Sequence, residues 1–246
     1  MSLNKRVSSG ITGLDEMLGG GIPPGHIVVV IGDAGTGKTT LAIQYIHDGL
    51  CRGESCIYIS IEEERESIIS TAASYGYDLK KSIEDRKLEI LKLDLSDIKT
   101  TARRMKIDLP ELIKSFGANR LVIDSITLFS MMFDDPIERR IRLVDLNKTI
   151  KKAGITALYT SEISTGDHIH SKDGIIEYSA DGILFLQQNE IAKNIKLIMR
   201  IIKMRRAMHD RLYRPYEITE SGIIVYSTDV VYHEDGKGII SNAHRY

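Results

Sequence analysis

The residues with the most explicit chemistry run from Gly32 to Thr39, where Gly32-Asp33-Ala34-Gly35-Thr36-Gly37-Lys38-Thr39 matches the pattern G-x-x-x-x-G-K-[ST]. That spacing suits a polyphosphate. Glycines let the backbone N–H groups from Asp33 to Thr40 curl around phosphate oxygens, and a helix starting at Lys38 adds the positive end of its dipole. Lys38 has the reach for the β and γ phosphates, and the Thr39 hydroxyl can ligate magnesium. The pattern arises by chance in on the order of one per cent of chains of this length. The competing reading is a glycine-rich turn ahead of a lysine-headed helix.

A triphosphate site also needs carboxylates at the carboxyl ends of strands, where ligands bind in open α/β sheets. Leu121-Val122-Ile123-Asp124 is an apolar strand closing on an acid, which fits a Walker B element with Asp124 as a magnesium ligand, directly or through water. Tyr58-Ile59-Ser60-Ile61-Glu62-Glu63-Glu64 is a second such strand, and either Glu62 or Glu63 could hold the attacking water and accept its proton. At least one of the three glutamates is accounted for by the dipole of the helix that follows. Thr160-Ser161-Glu162 ends a further strand and could sense the γ phosphate, or simply mark a strand-to-loop transition.

Farther along, alternation in Ile201-Ile202-Lys203-Met204-Arg205 projects Lys203 and Arg205 from one strand face, with His209 just beyond. Two cations aimed together suit phosphate, as an arginine finger does. They would equally suit an exposed basic edge that discourages strand pairing.

These groups need a scaffold, and the apolar pattern supplies one. Short β-branched runs at His26 to Ile31, Cys56 to Ile61, Leu88 to Leu93, Arg120 to Ile123 and Ile155 to Thr160 alternate with helical stretches. The helices are predicted at about Lys38 to Gly49, Arg65 to Tyr75, Thr101 to Phe116 and Pro136 to Lys152. The rhythm is that of an α/β fold with a mostly parallel central sheet and helices on both faces. After Ser179, Gly182 to Gln187, Asn194 to Met204 and Gly222 to Tyr226 read as antiparallel strands added to one edge. One domain is expected over residues 1–227, with an extension lacking strong periodicity at 228–246.

The 246 residues, 42% hydrophobic, suffice for one large core, and a formal net charge of -1 gives no global attraction to nucleic acid or an anionic membrane. Cys51 and Cys56 lack the companions a zinc site needs and read as reduced thiols of a cytoplasmic protein. No stretch approaches the roughly 20 apolar residues of a membrane span.

The order of these landmarks resembles a KaiC-type domain of the RecA and RadA superfamily of P-loop ATPases. The resemblance runs from Val7-Ser8-Ser9-Gly10-Ile11-Thr12-Gly13-Leu14-Asp15 through Gly19-Gly20-Gly21-Ile22-Pro23-Pro24-Gly25 into the phosphate loop, then to about residue 227. Glu62 and Glu63 resemble that family's paired catalytic glutamates, Ile123-Asp124-Ser125-Ile126-Thr127 its Walker B strand, and Lys203-Met204-Arg205 with His209, Pro215 and Gly222 its C-terminal signature. The resemblance implies a RecA-like fold, ATP or ADP with Mg2+ as cofactor, and a homo-oligomeric, hexameric ring with nucleotide between neighbours. It implies that Lys203 and Arg205 reach a γ phosphate held by the adjacent subunit while His209 approaches the ribose. Two departures restrict it: KaiC clock proteins carry two such domains, and Glu177 and Tyr178 stand where the second carries adjacent Ser and Thr phosphorylation sites. The reading is therefore an ATPase ring, regulatory or signalling, with a protein partner to be identified, and the second departure argues against Ser/Thr autokinase activity.

A RadA-like recombination factor is the alternative from another class, and a scaffold that binds ATP without turnover is a third. The stretch Ile163 to Tyr178, near where RadA-like proteins contact DNA, holds one lysine and two histidines against Asp167, Asp173 and Glu177, a poor match for a phosphate backbone. Arg139, Arg140 and Arg142 fit a solvated or inter-subunit helix face better than a DNA contact.

Overall fold

The structure, a computed structural model, describes residues 6–94, 96–163, 171, 174–191, 194–234 and 237–242. Its strands are β1 (Ile27–Gly32), β2 (Cys56–Ser60), β3 (Leu88–Lys92), β4 (Arg120–Asp124), β5 (Thr156–Glu162), β6 (Gly182–Ile191), β7 (Asn194–Met204), β8 (Arg214–Thr219), β9 (Gly222–Val225), β10 (Asp229–Glu234) and β11 (Lys237–Asn242). The first nine form one sheet in the order β3-β2-β4-β5-β1-β6-β7-β8-β9. From β3 to β6 every pairing is parallel, and from β6 to β9 every pairing is antiparallel.

β1 lies inside the sheet and is buried along its whole length, which is why it reads as an unbroken apolar run. Alternate residues serve opposite layers. Val28 and Val30 pack with Leu41, Tyr45 and Ile46 of the helix Lys38–Cys51 and with Ile68 and Ala72 of the helix Arg65–Ser74. Ile27, Val29 and Ile31 face Leu109 and Ile113 of the helix Leu109–Phe116 and Leu143, Leu146 and Ile150 of the helix Pro136–Ala153. The latter helix starts as its sequence dictates: Asp135 caps it by accepting from the N–H groups of Ile137 and Glu138, and Pro136 follows.

The structure departs from the sequence reading at several elements, among them β8 and the short helices Leu79–Glu84 and Ile126–Met131, which that reading did not anticipate. The helix expected over Thr101 to Phe116 is Ile98–Arg103 and Leu109–Phe116 joined by a π-turn, Arg104–Asp108. β6, expected among the antiparallel strands, runs parallel to β1, Val28 level with Gly182 and Gly32 with Leu186. The sequence hid this because the described part of the β5-to-β6 connection carries a four-residue helix, Ile176–Ser179, where a parallel crossover usually carries a long one. Finally, the segment read as an extension contains a hairpin: β10 pairs antiparallel with β11, and Val231 packs on Ile198 and Tyr213.

Candidate functional site

A cavity of about 550 Å³ opens where β1, β2, β4 and β5 end, lined by the Gly32–Thr40 loop together with Glu62, Glu63, Asp124, Ser125 and Glu162. The loop is shaped by its glycines and pinned from beneath. Gly37 adopts φ 86° to start the helix at Lys38, and a Cβ on Gly32 would stand 2.7 Å from the Leu186 carbonyl oxygen. Thr36 is fully buried; its hydroxyl donates to the Asp33 carbonyl at 2.7 Å, and its own carbonyl accepts from Tyr216 Oη at 2.6 Å. Gln188 Nε2 donates to the Ala34 carbonyl at 3.3 Å.

Lys38 Nζ donates to the carbonyls of Gly32 and Asp33, each at 2.9 Å, so the ammonium lies folded over its own loop. Burial holds its pKa below the ordinary 10.5, opposed by the negative charges of Asp124, Glu162, Asp33 and Glu62.

Asp124 is the best-connected acid. Parallel pairing of β4 with β2 sets it level with Ser60, and its Oδ2 accepts from Thr39 Oγ1 at 2.9 Å and from Tyr58 Oη at 2.6 Å. Its Oδ1 accepts from Thr160 Oγ1. The neighbouring Asp124–Ser125 peptide is cis. Thr39 and Asp124 thus offer adjoining hard oxygens at the cavity wall, the donor type magnesium takes.

The glutamates are sorted by their contacts. Ser60 Oγ accepts from the Glu63 N–H at 3.0 Å and donates to the Glu63 carbonyl at 2.6 Å, while Ser67 Oγ donates to Glu63 Oε2 at 2.6 Å. Glu63 is therefore fixed at both backbone and carboxylate. Glu62 has an exposed side chain, and its carbonyl accepts from Lys92 Nζ at 2.6 Å. Glu64 turns toward Lys92 at 3.6 Å, away from the cavity lining. Glu162 reaches the same cavity, its N–H donating to Thr127 Oγ1 at 2.9 Å.

Lys203, Arg205 and His209 are elsewhere. Lys203 pairs with Ile183 and Met204 with Gly182, level with Val28 near the start of β1, roughly 15 Å of strand from Gly32. The expectation of a shared strand face needs correcting, because β7 ends at Met204 and Arg205 enters a turn completed by Arg206 at φ 56°. The two cations converge all the same: Lys203 Nζ donates to the Glu177 and Ala180 carbonyls at 2.9 and 2.7 Å, and Arg205 Nη2 to the Tyr178 carbonyl at 3.3 Å. Burial and the adjacent Arg205 lower the Lys203 pKa. Both ring nitrogens of His209 are buried without a hydrogen-bond partner.

Sequence reasoning missed Tyr58, Tyr216 and the serines that hold Glu63. Tyr58 reads as a plain strand residue until β4 is known to lie beside β2. Asp167, His168, His170, Lys172 and Asp173, weighed as a DNA-facing segment, lie outside the described residues. Both cysteines are free thiols, Cys51 exposed and Cys56 buried, and among the described residues no helix is long and apolar enough to cross a membrane.

A sheet with this phosphate loop at its carboxyl edge and acids on the neighbouring strands defines a RecA-fold P-loop ATPase domain. The sequence model of the KaiC ATPase family matches residues 7–230, and the chain belongs to that family. A UPF0273 protein of Methanocaldococcus jannaschii is 34% identical over 241 residues, covering 92% of this chain and 98% of that one. The circadian clock oscillator protein KaiC of Prochlorococcus marinus is 30% identical over 230 residues, 91% of this chain but 45% of that longer protein. Among solved structures, a KaiC-like protein from Pyrococcus horikoshii superposes with a TM-score of 0.81 at 34% identity, over 90% of this chain and 99% of that one.

Proposed function

We propose that the protein hydrolyses ATP with magnesium in a closed ring of its own copies, six by the family resemblance, and that the ring serves a regulatory or signalling role through a protein partner. The observation that carries the reading is the separation of the two basic groups. Lys38 sits at the carboxyl end of β1, whereas Lys203 and Arg205 sit beside its start. No side chain spans that distance, so cations that serve a phosphate must serve one held by a neighbouring copy. A heterologous interface whose rotation closes yields a ring.

Lys38 and the loop amides bind the β and γ phosphates, and Thr39 and Asp124 hold the magnesium, which neutralises charge on the phosphate oxygens when bound. Glu63, already oriented by Ser60 and Ser67, is favoured over Glu62 as the base for the attacking water, with Glu62 beside it at the cavity wall. Arg205 and Lys203 of the next copy stabilise charge on the transferring phosphoryl group, and His209, with both nitrogens unpartnered, turns to the nucleotide's ribose.

Mixing Arg205→Ala with Lys38→Ala protein tests the shared site, since some interfaces then combine an intact phosphate loop with an intact finger. Phosphate release by the verified mixed assembly above that of either variant alone supports it. No recovery refutes it.

A further inference from the structure

Pro23-Pro24-Gly25-His26 makes a tight turn at the mouth of β1: the His26 N–H donates to the Pro23 carbonyl at 3.2 Å and Gly25 takes φ 71°. This is the type II arrangement, with proline second and glycine third. The Gly25 N–H donates to Thr156 Oγ1 at 3.0 Å, tying the turn to β5. The turn delivers an imidazole that is 2% exposed. Its Nε2 lies 2.9 Å from the carbonyl oxygen of Arg205, while Nδ1 is 3.4 Å from the Pro24 carbonyl. An acceptor at Nε2 requires that nitrogen to carry the proton.

Arg205 is held at its backbone N–H as well. Its N–H donates to the Asp181 carbonyl at 2.8 Å, and the Asp181 carboxylate, itself 1% exposed, accepts from the Ile27 N–H at 3.1 Å and from Lys151 at 2.9 Å. Arg205 follows the last residue of β7 and precedes a residue with positive φ, so nothing in the sheet ladder fixes its carbonyl. The bond from His26 does.

We propose that His26 is a positioning residue for Arg205, setting the direction in which the guanidinium leaves the turn toward a neighbouring copy. The inference rests on the shared-site reading. Its consequence is specific: His26 acts on the finger of its own subunit and hence on the neighbour's reaction. His26 lies six residues from Gly32, about 20 Å of strand from its own phosphate loop.

The test uses the full chain and two polar replacements. His26→Gln keeps an N–H near the position of Nε2, whereas the shorter amide of His26→Asn falls short of the Arg205 carbonyl. His26→Asn is expected to release phosphate about fivefold more slowly at saturating ATP, the rate equivalent of one lost hydrogen bond, with His26→Gln within twofold of the parent. Mixed with Lys38→Ala, His26→Asn should recover activity as Arg205→Ala does, because the Lys38→Ala copies bring sound fingers to sound phosphate loops. A loss that is equal in the two replacements, or that persists in the mixture while Arg205→Ala recovers, overturns the role of His26 and leaves the shared site standing. If Arg205→Ala also fails to recover, the shared site itself is wrong and the inference falls with it. Should His26→Asn not fold, His26→Gln with less than half the parent activity and no recovery in the mixture overturns the proposal alone.

Discussion

Replacing Asp124 by asparagine separates the chemistry of the site from its architecture. The carboxylate accepts from Thr39, Tyr58 and Thr160, and it contributes the largest of the negative charges favouring protonated Lys38. Asparagine has the same shape and keeps one acceptor, and hydroxyl groups can rotate to meet its amide, so the nucleotide-free fold should lose no more than about 1 kcal/mol. Removing the charge is different. Unit charges about 4 Å apart interact by roughly 4 kcal/mol at an effective dielectric of 20, and a bound divalent ion would lose an interaction of that order. Allowing for solvent, about 2–4 kcal/mol of transition-state stabilisation disappears, a fall in kcat of about 30- to 1000-fold. Phosphate release measured across a magnesium titration, with urea unfolding of the same protein, reads both quantities. A loss below threefold with an unchanged magnesium midpoint would refute the placement of the metal at Thr39 and Asp124.

Glu63→Gln should bind nucleotide as the parent does and slow hydrolysis at least 100-fold, with Glu62→Gln milder; equal effects in a steady-state assay would contradict the ordering drawn from the Ser67 contact. Burial depresses the Lys38 pKa below 10.5, so between the folded value and 10.5 the unfolded chain binds more protons than the folded one. The nucleotide-free protein therefore gains stability from this group as pH rises through that window, while ATP affinity falls over the same range because the ammonium is lost; calorimetry and denaturation across alkaline pH check the opposite signs. Arg120, 1% exposed, donates to Asp48 at 2.9 Å, to Glu54, and to the carbonyls of Ser8 and Tyr45 at 3.0 and 2.8 Å. Arg120→Met strands Glu54, while Asp48 keeps Arg52 at 2.9 Å, and should cost about 3 kcal/mol in urea unfolding, the low end for a broken buried pair because Asp48 and Glu54 are partly exposed.

Much of this was legible in the residues. The phosphate loop is legible because its whole pattern is contiguous in the chain, and β1 and the helix after it are specified by local pattern alone. Asp124 was legible as an acid ending an apolar strand, yet its three hydroxyl partners come from β2, β5 and the phosphate loop, whose adjacency depends on strand order. The parallel sense of β6 was hidden by a connection whose described residues hold only a four-residue helix. The paired cations at Lys203 and Arg205 were visible as a pattern, but their distance from Lys38 appears only when β7 is laid beside β6 and β6 beside β1. That distance turns a basic strand end into an argument for a second subunit.

The most direct measurement of the shared site is phosphate release per subunit as the protein is diluted, with molecular mass followed by light scattering in magnesium ATP. Specific activity should fall as mass falls, reaching background in the monomer and returning on reconcentration. A monomer that hydrolyses ATP at the rate of the assembly would contradict the account.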